Sequence, residues 1–305
     1  EIVRERKVKV DSPENVETAM RALVKEQADV LIAFVGDDPA DARRRQIKMQ
    51  AVERAWPSLV LDLKTINDVE AMPLLIMGLL ARAGGTPFMF EEPLPYADQI
   101  VGLALHRFAR KGKAYVAALV RLFSNRGVCL GWRAVQTSGE ALSESDWAHL
   151  LPPREIATRR ILIHIDGRLS DVDSAGLTAW EEAHDAAFYP VEIVPRGAPR
   201  LYAFANKRIE SAPRGAVMRL SPCDALLATV PPGRGAMPYP LSVRVLARQR
   251  IDSALESIMA LLTLHHGARH LPTLPVTTVQ AETWADAVER GVFPDVAGGA
   301  APWWL

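Results

Sequence analysis

Two groups of residues in this sequence have the types and spacing to do chemistry. The first closes the run Arg159-Arg160-Ile161-Leu162-Ile163-His164-Ile165-Asp166-Gly167-Arg168. Its aliphatic and β-branched residues read as a strand buried on both faces, ended by a turn dipeptide. Ligands of open α/β sheets bind just outside the carboxyl ends of such strands. A carboxylate and a guanidinium placed there could hold a metal ion or a phosphate; the simpler alternative is that Asp166-Gly167 only turns the chain. The second group is Arg43-Arg44-Arg45-Gln46-Ile47-Lys48, with Arg82 further on. Arg44 and Lys48 are four apart and share a helical face. With Arg82 they make a trio suited to a terminal phosphate, because charge-assisted hydrogen bonds are the strong ones. A solvated basic face, partly paired with Asp41 and Glu53, is the alternative.

Other constellations are weaker. His265, His266 and His270 invite a zinc reading, but Gly267 and Pro272 break the helix it needs. No serine sits in a nucleophile elbow and no paired CxxC exists.

The elements that must position these groups follow from hydrophobic periodicity. Lys7–Val10 alternates like a strand, and Ser12-Pro13 starts a helix. Strands at 29–35 and 59–63 alternate with helices at 40–56 and 68–83, the last stopped by Gly84-Gly85. This alternation means a parallel, Rossmann-like sheet without a glycine-rich dinucleotide fingerprint. From Tyr96 the pattern changes. Three strands (100–105, 115–123, 128–135), a hairpin at Ser124–Gly127 and a polar stretch with Glu140, Glu144 and Asp146 lead to the strand ending at Asp166. A helix (174–187) and short strands at 191–194, 201–204, 217–220, 225–230 and 241–246 follow. Ser253 and Glu256 read as a capping box for a helix to Leu264, and a last helix spans 281–289. Three antiparallel strands followed by strand–helix–strand is the order of ribonuclease H-like folds, whose acidic residues hold two divalent cations. Phe88 and Trp132 are expected in the core, and Trp303-Trp304 against it.

The 305 residues suffice for two domains. Lys plus Arg and Asp plus Glu balance at 36 each. Any nucleic-acid binding must therefore come from locally concentrated charge. Cys129 and Cys223 read as reduced, buried thiols, consistent with a cytoplasmic protein. The longest apolar stretch, 71–81, is too short for a bilayer, so no membrane partner is expected. Residue 1 is Glu rather than Met, which leaves upstream sequence open.

At several positions the sequence resembles the MID and PIWI domains of prokaryotic Argonaute proteins. Ala28–Phe34 resembles the MID strand before the guide-binding helix. Leu79-Leu80-Ala81-Arg82-Ala83-Gly84-Gly85-Thr86-Pro87-Phe88 resembles "LAKxGGxPW". Val101–Leu105 takes the place of "vGiDv", Ile163–Arg168 that of "iiHRDGR", and Leu274–Glu282 that of "LPVTTHYAD".

The resemblance implies an α/β chain with a Rossmann-like MID domain (1–95) followed by a ribonuclease H-like PIWI domain (96–305). The family's MID pocket holds the 5′ phosphate of a short guide RNA or DNA with a tyrosine, two lysines and a glutamine, often with a divalent cation. Carried over, Lys48 matches the first lysine, Arg44 stands for the tyrosine and Arg82 for the second lysine. The glutamine falls near Leu59 or Ser58. The carboxylate of Leu305, if the chain ends there, would face the phosphate through a structural Mg2+. In the PIWI set Asp166 matches the second aspartate and Glu282 the fourth position, while Ala104 replaces the first, metal-bridging aspartate. A methyl group cannot supply the oxygen ligand that magnesium requires. Glu140 or Glu144 would be relics of a glutamate finger. These matches imply no slicer activity, with Asp166 and Glu282 as remnants.

The expected function is guide-directed recognition of a complementary target strand in defence against plasmids or phage. A MID–PIWI chain resembles short Argonautes, which work with an APAZ-containing effector protein; upstream N and PAZ domains would make it a long, inactive form. Two other readings stand beside it: a metal-dependent guide-directed nuclease, and a PIWI-related protein-binding scaffold.

Overall fold

The computed structural model describes residues 15–24, 29–36, 42–205, 207–231, 239–246, 250–266, 272–279 and 281–300. The expected strand at 7–10, the Ser12-Pro13 cap and Trp303-Trp304 lie outside them. Two compact units form. One takes the described residues of 1–87, His266 and 282–300, and the other those of 88–265 and 272–281.

In the first unit, α1 (Asn15–Val24), β1 (Leu31–Phe34), α2 (Ala42–Glu53) and β2 (Ser58–Leu61) follow in order. β1 and β2 pair in parallel, Leu31 opposite Ser58 and Phe34 opposite Leu61. That pairing requires a crossover, and α2 is its helix. Val16 and Met20 of α1, Leu31, Val35, Ile47 and Trp56 bury together into the core that holds α2 on the strand pair. Burial of Ile47 fixes which way α2 faces, and so where Arg44 and Lys48 emerge. A single turn α3 (Leu63–Ile66) and α4 (Met72–Arg82) continue the chain. Gly84, at φ +85°, ends α4, with the Gly85 N–H donating to Leu80 O (2.9 Å). Arg82 is thereby left in the helix's last turn.

In the second unit, β3 (Gln99–Arg110), β4 (Lys113–Ser124) and β5 (Cys129–Ser138) form an antiparallel meander. Then come α5 (Glu144–Leu150), α6 (Pro153–Ile156), β6 (Arg160–Asp166), α7 (Asp171–Ala183), β7 (Ala187–Val194) and a small hairpin of β8 (Tyr202–Ala205) and β9 (Arg208–Ser211). Short strands β10 (Val217–Arg219), β11 (Asp224–Leu227) and β12 (Leu241–Val245) precede α8 (Ile251–Leu261). The sheet runs β10-β11-β12-β7-β6-β3-β4-β5, with β6 parallel to both β3 and β7. One face packs Val101, Leu103, Val120, Ile163 and Ile165 against Trp147 and Leu150 of α5 and Leu177 and Trp180 of α7. The helix α9 (Ala281–Glu289) belongs to the first unit, where Trp284 packs on Phe293 at 5.3 Å between ring centroids.

Three local expectations are corrected. α8 begins at Ile251 with Arg250 as its N-cap, so Ser253 and Glu256 are interior residues rather than a capping box. Ile251 is buried on the same face as Ala254, Leu255 and Ile258, and that burial extends the helix past the local capping signal. Cys223 is exposed and Cys129 half-buried, because Cys223 sits in the turn that Ser221 closes onto the Cys223 and Asp224 N–H groups. Phe88 is 40% exposed, lying in irregular chain between α4 and β3, whereas Trp132 is buried as expected.

Candidate nucleic-acid interface

In the first unit, α2 and α4 bring Arg44, Lys48 and Arg82 together. Arg82 Nε donates to Ser58 O (2.9 Å) and Nη1 to Gly78 O (2.9 Å), which ties the guanidinium to the start of β2. Burial pulls its pKa down to about 10, so it stays charged at neutral pH. Arg44 Nη2 reaches Asp62 Oδ2 at 3.4 Å, and its buried Nε has no hydrogen-bond partner among the described residues. Much of the Lys48 side chain is solvent-accessible. Its pKa is nevertheless lowered, first by partial loss of water around the ammonium and then by repulsion from Arg44 and Arg82. Three cations close enough to repel one another, with one carboxylate nearby, form a cradle for an anion.

Asp62 was not singled out from the sequence. It caps α3, accepting from Thr65 N at 2.7 Å. Hydrogen bonds from Thr65, then the Arg44 contact, hold its carboxyl below the usual range. An Asp directly after a strand and three residues before a Thr is a readable turn signal. Leu59 and Ser58, the places expected for a glutamine, lie on β2, where Ser58 contributes its carbonyl to Arg82. Leu305 lies outside the described residues. The described donors suit a phosphate.

In the second unit, Ala104 and Asp166 are direct neighbours across the parallel β3–β6 pair. Ala104 is buried, and Asp166 is half-buried at the strand's end. Gly167 follows at φ +87° and donates its N–H to Ile193 O (2.9 Å), a turn only glycine makes without strain. Arg168 is exposed. Gly102, two residues before Ala104, has Thr277 O only 2.0 Å from where a Cβ would lie, so the 277 backbone can approach only a glycine. His164 is fully buried, its Nε2 2.9 Å from Ser257 Oγ and its Nδ1 2.9 Å from Thr277 Oγ1. Ser257 donates its own hydrogen to Ala254 O (2.7 Å), so Nε2 carries the imidazole proton and Nδ1 accepts from Thr277. Burial lowers the His164 pKa to about 3.

Sequence reading also passed over Arg121 of β4, which is wholly buried and donates through Nη1 to Val279 O. A lone arginine inside the apolar run 115–123 was the available signal. Glu140 and Glu144 are exposed; the Glu140 carbonyl accepts from Arg107 Nε (3.1 Å), which also binds Ser170 and Asp173 at the start of α7. Glu282 stands exposed in the first turn of α9. His265 Nε2 lies 2.7 Å from Leu274 O, and His270 is outside the described residues. Among the described residues no group of three or more His, Cys, Asp or Glu side chains could hold a metal ion, and no helix is long and apolar enough to cross a membrane.

The order β5-β4-β3-β6-β7, with β6 parallel to its neighbours, defines the second unit as a ribonuclease H-like α/β fold. No protein-family model matches the chain. It is similar to the Argonaute protein of Aquifex aeolicus, 24% identical over 271 residues, which is 85% of this chain and 38% of that protein. A structure of Aquifex aeolicus Argonaute superposes with TM-score 0.79 at 20% identity, covering 97% of this chain and 45% of the other. Clostridium butyricum Argonaute bound to a guide DNA and a 19-mer target DNA gives TM-score 0.78 at 21% identity, covering 98% and 42%. Drosophila Piwi gives 0.66 at 19% identity, covering 94% and 44%. The fold is thus of the Argonaute PIWI type, and the chain spans less than half the length of these relatives.

Proposed function

We propose that the chain is the MID–PIWI part of a prokaryotic Argonaute, with 1–95 as the MID domain and 96–305 as the PIWI domain. It binds a short guide RNA or DNA by its 5′ phosphate and uses it to find a complementary strand without cutting it. The observation that carries the reading is the convergence of Arg44, Lys48 and Arg82, from two separate helices, on one cationic cradle. Its likeness to an Argonaute bound to guide and target DNA supports a nucleic-acid ligand.

The cradle neutralises the terminal phosphate and fixes the guide's end, while base pairing supplies sequence specificity. Arg82, braced by Ser58 O and Gly78 O, presents a fixed donor, and Lys48 contributes a flexible point charge. In the PIWI domain Ala104 stands beside Asp166 where a second carboxylate would bridge two cations, and a methyl group cannot do that. Output is then assigned to an associated, APAZ-containing effector acting against plasmid or phage nucleic acid.

Incubating the guide-loaded chain with matched target and manganese tests the non-cutting part. The expected result is intact target retained by the protein; sequence-specific cleavage products would establish the nuclease reading instead. Purification without 5′-phosphorylated oligonucleotides, together with no measurable affinity for them, would favour a protein-binding scaffold.

A further inference from the structure

We propose that the Arg121 guanidinium is the resident cation of the strand-end centre in the second unit, neutralising Asp166 from within the protein where a divalent ion would otherwise sit. The inference rests on the reading of this unit as a PIWI domain without the bridging carboxylate.

Register places the groups. Gly102 faces Arg121 across the antiparallel β3–β4 pair, and Ala104 faces Asp166 across the parallel β3–β6 pair. Paired residues, and residues two apart on a strand, share a face of the sheet. Arg121, Gly102, Ala104, His164 and Asp166 therefore lie on one face, opposite the one covered by α5 and α7. The Thr277 backbone closes over Gly102, and Ala104 puts only a methyl group beside Asp166. The Arg121 side chain on the same face has no solvent exposure and is fastened to the Val279 carbonyl. A buried guanidinium needs a negative neighbour. Burial pulls the Arg121 pKa to about 10, and the charge of Asp166 works in the opposite direction. A divalent ion on Asp166 would have to approach a fixed positive charge in a medium that screens it poorly.

Loss of cutting would then have two parts: a missing ligand at 104 and an occupying cation from 121. Restoring the carboxylate alone leaves the second in place. Manganese binding to the full chain, read by loss of the free-ion electron paramagnetic resonance signal, tests this without guide or target, so a failure of guide binding leaves the readout intact. Wild type and Ala104→Asp are expected to show no site above surface background. Ala104→Asp with Arg121→Gln should gain one at least roughly tenfold tighter. A site in Ala104→Asp alone, or none in the double variant, would overturn the proposal. Should the double variant fail to fold, thermal melting of Asp166→Asn, Arg121→Gln and their combination reports on the same pair. The combined loss in Tm should be smaller than the sum of the two; additive losses would contradict the pairing.

Discussion

Replacing Lys48 and Arg82 together with alanine should weaken binding of a 5′-phosphorylated guide by roughly a hundredfold at low salt. Each charge-assisted hydrogen bond contributes about 1.5–3 kcal/mol, reduced here because the cradle is open to solvent. The log–log salt dependence should flatten by about 1.4, since each single-strand phosphate contact contributes about 0.7. Arg82 also satisfies the Ser58 and Gly78 carbonyls, so its loss should lower stability as well. Lys48→Ala alone separates the two effects, because its main change is one charge. Affinity in the wild type should begin to fall at a lower pH than an ordinary lysine would give, as Lys48's pKa is depressed by partial desolvation and then by Arg44 and Arg82. Affinity titrations of the three proteins across salt and pH read all of this; matching salt slopes would place the phosphate elsewhere.

Acid should destabilise the second unit through His164. Its folded pKa is lowered to about 3, against roughly 6.5 when unfolded, so the folded state binds the proton less well. The stabilisation is complete above the unfolded value and is lost as pH falls from there towards the folded one, at about 1.4 kcal/mol per pH unit. Over the full window this is on the order of 5 kcal/mol, a large part of an ordinary domain's stability. The cause is structural. The ring is wholly buried, which penalises its charged form, and Ser257 and Thr277 already satisfy both nitrogens of the neutral imidazole. His164→Gln should be less stable at neutral pH yet lose about one proton's worth of slope in denaturation series between pH 6 and 4. An unchanged slope would show that His164 does not titrate with unfolding.

Much of this was legible because local pattern and tertiary packing agree. The meander of β3, β4 and β5 is announced by long β-branched runs and the Ser124–Gly127 turn. The pairing of Arg44 with Lys48 follows from helical spacing alone. Arg82, 34 residues beyond Lys48, is expected with them from the order of elements and from its match to the family's second lysine, and the packing of α2 and α4 brings it there. Where packing opposes a local signal, packing prevails: Ile251 carries α8 past the Ser253–Glu256 box. The missed capping box at the start of α5, Ser143 with Asp146, lacks the usual Glu or Gln at its third position. Arg121 lacks a readable role for a related reason: one charge within an apolar strand says nothing about its partner, and the carbonyl that Arg121 binds, Val279 O, lies 158 residues further along the chain.

The most direct measurement is the affinity of the chain for one short single strand carrying either a 5′ phosphate or a 5′ hydroxyl. If the cradle of Arg44, Lys48 and Arg82 grips the terminal phosphate, the phosphorylated strand should bind roughly tenfold or more tightly. Lys48→Ala should erase most of that preference. Equal binding of the two strands by the wild-type chain would contradict it.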